Sequence, residues 1–470
     1  MGPIEPFSYR SRKSPKQPES NGERVRVAHT SGGRRRAPDP GSPMMVAERV
    51  RASYLSDLGE VHAFLPSRVP VDDLPPVFSP YLAACAELPA HYAPERGGVR
   101  SWLNREFARD EPGVGRAIAG LNDAERDRVM TLLSVLGHTF RWDCVPPAPA
   151  RFHELRITLP PGIAQPWSEL SRICGQPRVG TMWSFHLCNW TMNDRPGGSS
   201  YRTEDLSGEN VRVPQNWLSP PFDGHLERFS VSFVLLEAQG ASVLRYLVDT
   251  IEAAAGGRLD ETLVAIGQLH EAIKTMTIVF SRTVRNRTVD PAIWLEMVQP
   301  TFAWSAESDT PGRIEGGPSG MQLGTIQALD AALGIGGHSA MAELARAGRR
   351  YMPKPHRRFL QILDLTSPIL RSFVVQSASD ELRELFNECI RSLGRFRATH
   401  KARGAQYLRT RPSGDAVRAS TGLVIGIDDN PIATFECMMT QRTAETAACV
   451  LPASTQPRAK VPALHIAPDS

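Results

Sequence analysis

Between residues 382 and 407 the apolar side chains recur at intervals of three and four: Leu382, Phe386, Cys389, Leu393 and Phe396. At about 100° per residue this spacing puts them on one face of an α-helix, whereas a strand would scatter them over both of its faces. A helix with a stripe this long must bury it against other helices. The stripe continues through His400, Gly404 and Tyr407, and Arg397 lies at its edge, roughly 60° around from His400. An imidazole therefore points inward, with a glycine one turn on and a guanidinium beside it. Two readings of His400 stand: a core histidine bonded to a carbonyl, the commoner case, or a ligand to a metal or cofactor.

The same period recurs upstream. "FSVSFVLLEAQGASVLRYLVDTIEAAA" predicts a helix over 229–255, stopped by Gly256 and Gly257. Leu263, Ile266, Leu269, Ile273, Met276 and Phe280 make one face of the next helix. Asn122 and Glu125 form a capping box ahead of Val129, Leu132, Leu133, Leu136 and Phe140. One helix is predicted near 80–88, and others near 321–334, 339–349, 354–363 and 379–409. Residues 145–222 read as loop-rich, around one short buried stretch, "GTMWSFHLCNW". No repeat, no alternating strand pattern and no glycine-rich phosphate loop is present. The predicted class is mainly α, a small N-terminal portion followed by a large helical bundle. The boundaries drawn are 1–45 for a basic tail, 46–150 for a small helical domain, 151–450 for the large domain and 451–470 for a Pro-rich tail.

Charge narrows the partners. The chain carries +4, but residues 1–45 hold nine Lys and Arg against four Asp and Glu, leaving the body close to neutral. The body is thus no basic nucleic-acid binder. The tail, rich in Pro, Ser, Gly and Arg, predicts disorder, or extra sequence ahead of a start at Met44 or Met45. Neither a signal-peptide core nor a membrane-length apolar run is expected. Seven scattered cysteines without a CxxC pair suggest reduced thiols in a cytoplasmic protein and no zinc site.

Four places carry possible chemistry. Asp330 falls among Ile326, Leu329 and Leu333, where a carboxylate needs a partner unless it sits on the helix surface. His186, amid Trp183, Phe185 and Trp190, is a pocket acid or base, or else a satisfied core residue. "RRYMPKPHRRFL" ends one helix, breaks at Pro353 and Pro355, and starts another; "STGLVIGIDDNP" is a Gly/Asp loop.

In their order and spacing, "GGPSGMQ…LDAALGI", "RRYMPKPHRRFL" and "LGRFRATH…YL" resemble the indoleamine 2,3-dioxygenases, with "VHAFLPSRVPVDDLP", "FHLCNW" and "STG" adding to the likeness over roughly 50–448. The resemblance implies haem b, with His400 as proximal iron ligand. It also implies Arg397 facing a propionate, Asp330 pairing with that arginine, Gly404 giving room beside the macrocycle, and the loop Gly316, Gly317, Ser319, Gly320 holding the other side. Phe229 and Trp294 match distal-pocket aromatics that would sandwich an indole. The implied reaction opens the C2–C3 bond of tryptophan or a related indole with O₂, giving an N-formylkynurenine-type product, as in tryptophan catabolism by the kynurenine pathway.

Two positions depart from the family. Gln299 stands where an arginine is expected to hold the substrate carboxylate, and His186 stands at a distal position usually small or apolar, although related tryptophan 2,3-dioxygenases set a histidine against the indole N–H. Arg282, Arg285 and Arg287 are candidate substitute cations. Besides the dioxygenase, the sequence leaves open a haem enzyme of the same superfamily acting on another aromatic, a haem sensor or carrier without turnover, and a scaffold lacking a cofactor. It sets no oligomeric state.

Overall fold

Ser42, whose hydroxyl accepts the amide of Met45, and Pro43 at the first helical position start α1 (Pro43–Ser53). This helix takes in residues 43–45, which the sequence had assigned to the tail. The computed structural model describes residues 42–70, 73–92, 98–109, 113–144, 156–193, 200–213, 223–302, 306–307, 313–337, 339–408 and 431–453. The stretch "STGLVIGIDDN" lies outside them.

Helices dominate. The first third holds α2 (Ser79–Glu87), α3 (Gly98–Glu106), α4 (Val114–Gly120), α5 (Asp123–Trp142) and α6 (Pro161–Cys174). The Asn122–Glu125 capping box forms as expected, and every residue of α5 from Val129 to Trp142 is buried. Gly137 is required there, because a Cβ would collide with the Trp167 ring of α6. Helix α6 corrects the loop-rich reading of 145–222. It carries Pro161 and Pro166, yet Ile163, Trp167 and Leu170 keep the helical period and are buried.

The long α7 (Asp223–Ala255) ends at a Gly256–Gly257 turn, with Gly257 at φ +69°, and α8 (Leu259–Thr283) folds back along it. By length and composition alone both are apolar enough to cross a membrane, contrary to the sequence expectation. Here they pack on each other, α7 also against α1 and α8 against the histidine helix. Residues 291–301 form α9 (Pro291–Ile293), a π-helical turn at Trp294–Val298 and α10 (Gln299–Thr301). The bundle is completed by α11 (Gly324–Leu333), α12 (Ala340–Gly348), α13 (Lys354–Leu363), α14 (Ser367–Gln376), α15 (Asp380–Leu408) and α16 (Pro431–Ala448). Neither α14 nor α16 was anticipated. The strands described are two antiparallel two-residue pairs, 191–192 with 211–212 and 306–307 with 314–315.

Apolar burial divides into two cores. The larger centres on α7, α8 and α15 and draws in α1, α11, α13 and α14. The smaller centres on α5 with α2, α3, α4 and α6, and it includes Phe185, so it runs past the boundary drawn at 150. The described residues form one compact unit. Phe229 and Trp294 pack against both cores. They mark the seam.

Candidate active site

Helix α15 delivers three of the site's side chains, Arg397, His400 and Tyr407, from one rod. His400 and Tyr407 lie two turns apart, and the Tyr407 ring meets the edge of Trp294 at 5.4 Å while its hydroxyl donates to the Val289 carbonyl at 2.8 Å. His400 contacts the rings of Phe280 (5.9 Å) and Phe435 (6.0 Å), both nearly perpendicular to it. No hydrogen bond to its imidazole is formed among the described residues. The apolar surroundings push its pKa down to about 4, so the ring is neutral near pH 7. Gly404 is a point of close approach, where a Cβ would strike the Phe435 ring of α16. The room at Gly404 therefore goes to Phe435, which the sequence did not foresee.

Asp330 and Arg397 pair as expected, and they have company. Arg397 is buried; its guanidinium donates to one Asp330 oxygen and to the Thr446 hydroxyl. Arg442 donates to the other Asp330 oxygen at 2.6 Å and to Glu445 at 2.8 Å. Glu445 in turn accepts from the Ser339 amide and hydroxyl, both at 2.8 Å. The result is a closed network tying α11, α12, α15 and α16 together. A carboxylate serving two buried guanidiniums meets the partner requirement that its place in the sequence raised.

At the seam the aromatic rings form a cage. Phe229 of α7 contacts Phe233 at 5.0 Å, Phe302 at 5.5 Å and Trp294 at 5.8 Å. His186 sits on a π-helical turn (Trp183–Leu187) and is surrounded by Phe185 at 4.7 Å, Phe233 at 5.0 Å and Phe302 at 5.2 Å. Among the described residues neither of its buried ring nitrogens has a hydrogen-bond partner, nor does the buried indole nitrogen of Trp294. Burial lowers the His186 pKa to about 3. Gln299, directly after the second π-helical turn, is buried. Of the three candidate substitute cations, Arg282 and Arg287 are exposed and Arg285 is half-buried.

The Gly316–Gly320 loop is held by other partners. The Gly316 amide donates to the Tyr351 hydroxyl at 3.1 Å, Gln322 donates to the Gly317 carbonyl at 2.9 Å, and the Ser319 hydroxyl accepts the Met321 amide. Among the described residues, no hydrogen bond joins this loop to α15. Sequence reasoning missed Phe233, Phe302, Phe435 and Arg442. Phe233 had a signal, being one helical turn after Phe229 on the same face.

The chain matches the indoleamine 2,3-dioxygenase family over residues 56–421. It belongs to that family. The indoleamine 2,3-dioxygenase acdA of Aspergillus candidus is 26% identical over 378 residues, covering 73% of this chain and 85% of that one. Rat indoleamine 2,3-dioxygenase 1 is 25% identical over 376 residues, covering 76% and 84%. A 6-hydroxytryptophan 2,3-dioxygenase of Fusarium equiseti is 23% identical over 390 residues, covering 78% and 88%. Membership in the indoleamine 2,3-dioxygenase family makes the chain a dioxygenase-type oxidoreductase, and the mainly α architecture agrees with it.

Proposed function

We propose that the protein is a haem-dependent dioxygenase that opens the ring of an indole or a closely related aromatic lacking a free α-carboxylate. The observation that carries the substrate part is the cage itself: aromatic walls, one neutral histidine with unpartnered nitrogens, and a buried amide at position 299 where the family resemblance places a cation.

The residues present fit the cofactor. His400 offers a neutral imidazole, free of competing hydrogen bonds and walled by phenyl rings, the usual donor for haem iron. Arg397 spends two recorded donors on Asp330 and Thr446 and has others for a propionate. When bound, haem supplies the ferrous iron that activates O₂ for insertion across the indole C2–C3 bond. The chain's own task is to bind, orient and keep water out. Phe229 and Trp294, which meet edge to face at 5.8 Å, are the aromatic walls for the substrate ring, and surroundings that are apolar but for His186 and Gln299 keep water out. The neutral His186 accepts the substrate ring N–H at one nitrogen, which fixes how the ring is turned in the cage. Gln299 hydrogen-bonds a neutral or cationic side-chain group but provides no charge for a carboxylate.

That a relative is named for 6-hydroxytryptophan supports variation of the indole ring within the family; that compound keeps its α-carboxylate, so the carboxylate part of the reading rests on position 299 alone. Oxygen consumption by the haem-reconstituted protein with L-tryptophan, tryptamine and indole, on wild type and on Gln299→Arg, is the test. A missing charged hydrogen bond is worth about 1.5–3 kcal/mol, or roughly tenfold to a hundredfold in kcat/KM. Tryptamine or indole should therefore outrun tryptophan in wild type, and Gln299→Arg should narrow the gap. Equal use of tryptophan by wild type, with no gain in the variant, would overturn the substrate reading and leave the ordinary family activity.

A further inference from the structure

Far along the chain from the cage residues, α12, the turn after it and α13 gather six cations around one concavity of about 770 Å³: Arg346, Arg349, Arg350, Lys354, Arg357 and Arg358. Such a charge run is ordinarily a solvated face, and its compensation decides otherwise. Arg349 pairs with Asp364 at 2.6 Å, Arg350 with Glu315, and Arg358 with Asp57. The Glu315 and Asp57 side chains are almost fully buried, 2% and 1% exposed, while Arg358 is 62% exposed. Two of the three carboxylates therefore pull from the protein side and leave the open side positive.

Among the described residues the other three cations meet no carboxylate. Arg346 donates to the Gly337 carbonyl at 3.2 Å, Lys354 to Ile173 at 2.8 Å and Arg357 to Gly175 at 2.9 Å. Lys354 and Arg357 thus cap the C-terminal end of α6, and each keeps further N–H donors. The concavity also lies over the first turn of the ten-residue α13, where Pro355 lines it and the helix dipole adds positive potential.

We propose that this concavity binds a small anion of two or three linked phosphoryl groups, such as the phosphate chain of a nucleotide or inorganic polyphosphate. Three uncompensated charges match the charge of such a chain, and guanidinium forks match phosphate oxygens. The volume, in a shallow concavity open to solvent, falls in the range of small-ligand sites, roughly 300–1,000 Å³. Arg350 reaches Glu315, the residue before the Gly316–Gly320 loop, so the site lies one ion pair from that loop.

Isothermal titration of the full-length protein at constant ionic strength tests this independently of any dioxygenase activity. The titrants are orthophosphate, tripolyphosphate and adenosine triphosphate without magnesium. Tripolyphosphate should bind saturably, one per chain, about tenfold or more tighter than orthophosphate, as added charged hydrogen bonds require. Adenosine triphosphate binding tighter than tripolyphosphate identifies a nucleotide; equal binding identifies the phosphate chain alone. Arg346→Gln with Lys354→Gln, both exposed positions, should weaken binding about tenfold or more. A matching circular-dichroism melt keeps a folding defect from being mistaken for that loss, and Arg346→Gln alone serves if the pair does not fold. Arg282→Gln, outside the concavity, should change nothing. Absence of saturable heat with tripolyphosphate, or unchanged binding in a folded Arg346→Gln, Lys354→Gln variant, overturns the proposal.

Discussion

Asp330 and Arg442 are 112 residues apart in the chain and 2.6 Å apart in space, and Arg397 occupies the carboxylate oxygen that Arg442 leaves. Removing either arginine takes away one of the two buried partners of Asp330 and breaks a buried ion pair, which costs up to about 3–5 kcal/mol. Arg397→Leu and Arg442→Leu should each lower urea stability by that order. Asp330→Asn combined with either should cost less than the sum. Additive losses in the double-mutant cycle would deny the shared pairing.

His400→Ala is expected to abolish the Soret band of the haem-reconstituted protein, or to reduce haem retention severely on gel filtration. The fold should persist, because among the described residues the deleted ring has two edge-on aromatic neighbours and no hydrogen bond. An unchanged spectrum at full occupancy would show that another residue holds the iron.

His186→Leu sets stability against function. The imidazole is buried with both nitrogens unpartnered, so a similar apolar side chain should stabilise the protein by about 1 kcal/mol, the order of the desolvation penalty removed. Activity on substrates with a free ring N–H should fall, while N-methylated indoles should be indifferent to the change. Equal losses on both kinds of substrate would mean that His186 does not contact that N–H.

Gly240→Ala should disrupt the contact between α7 and α11. A Cβ at 240 would strike the Thr325 hydroxyl, which donates to the buried Glu237 of α7. A cost of about 1–3 kcal/mol, typical of overpacking, is expected in denaturant titrations. A neutral result would mean that α11 can shift without penalty.

Acid should destabilise the haem-free protein through its buried imidazoles. His186 and His356 have folded pKa values of about 3, against about 6.5 unfolded. The unfolded chain thus takes up protons that the folded one refuses, and stability present above pH 6.5 is lost as pH falls. Glu237 works in the opposite sense. Burial raises its pKa to about 7, so its contribution is present below about pH 4.3 and is lost as pH rises through 7. Glu237→Gln should therefore gain on wild type between pH 5 and pH 7, by up to about 1.4 kcal/mol per pH unit. A constant difference at all pH values would refute the assignment.

The long helices were legible because a 25- to 33-residue stripe admits one period, and the Asn122 box and the Gly257 stop fix their ends. What escaped had a physical reason. Helix α16 buries Met439, Arg442 and Thr446, a mostly polar face that apolar periodicity cannot register. Helix α14 is short and fully buries only Leu370 and Val374, and α6 was masked by its prolines. The π-helical turns that carry His186 and Trp294 follow neither the 3.6 nor the 2.0 period. His400, Arg397 and Asp330 were legible because each is costly to bury without a partner. Phe302 and Phe435 were not, because an aromatic residue in an interior raises no such question.

The cage at the seam and the arginine network differ in how they tolerate change. The network consists of interlocked charges, and altering one member strands another, so it drifts slowly if at all. The cage is held by ring against ring. Exchanges of similar volume within it usually cost less than about 1.5 kcal/mol. On the proposed reading of the cage as the substrate pocket, small steps at positions 185, 186, 233, 299 and 302 can therefore change the aromatic substrate, while the bundle that positions His400 stays as it is.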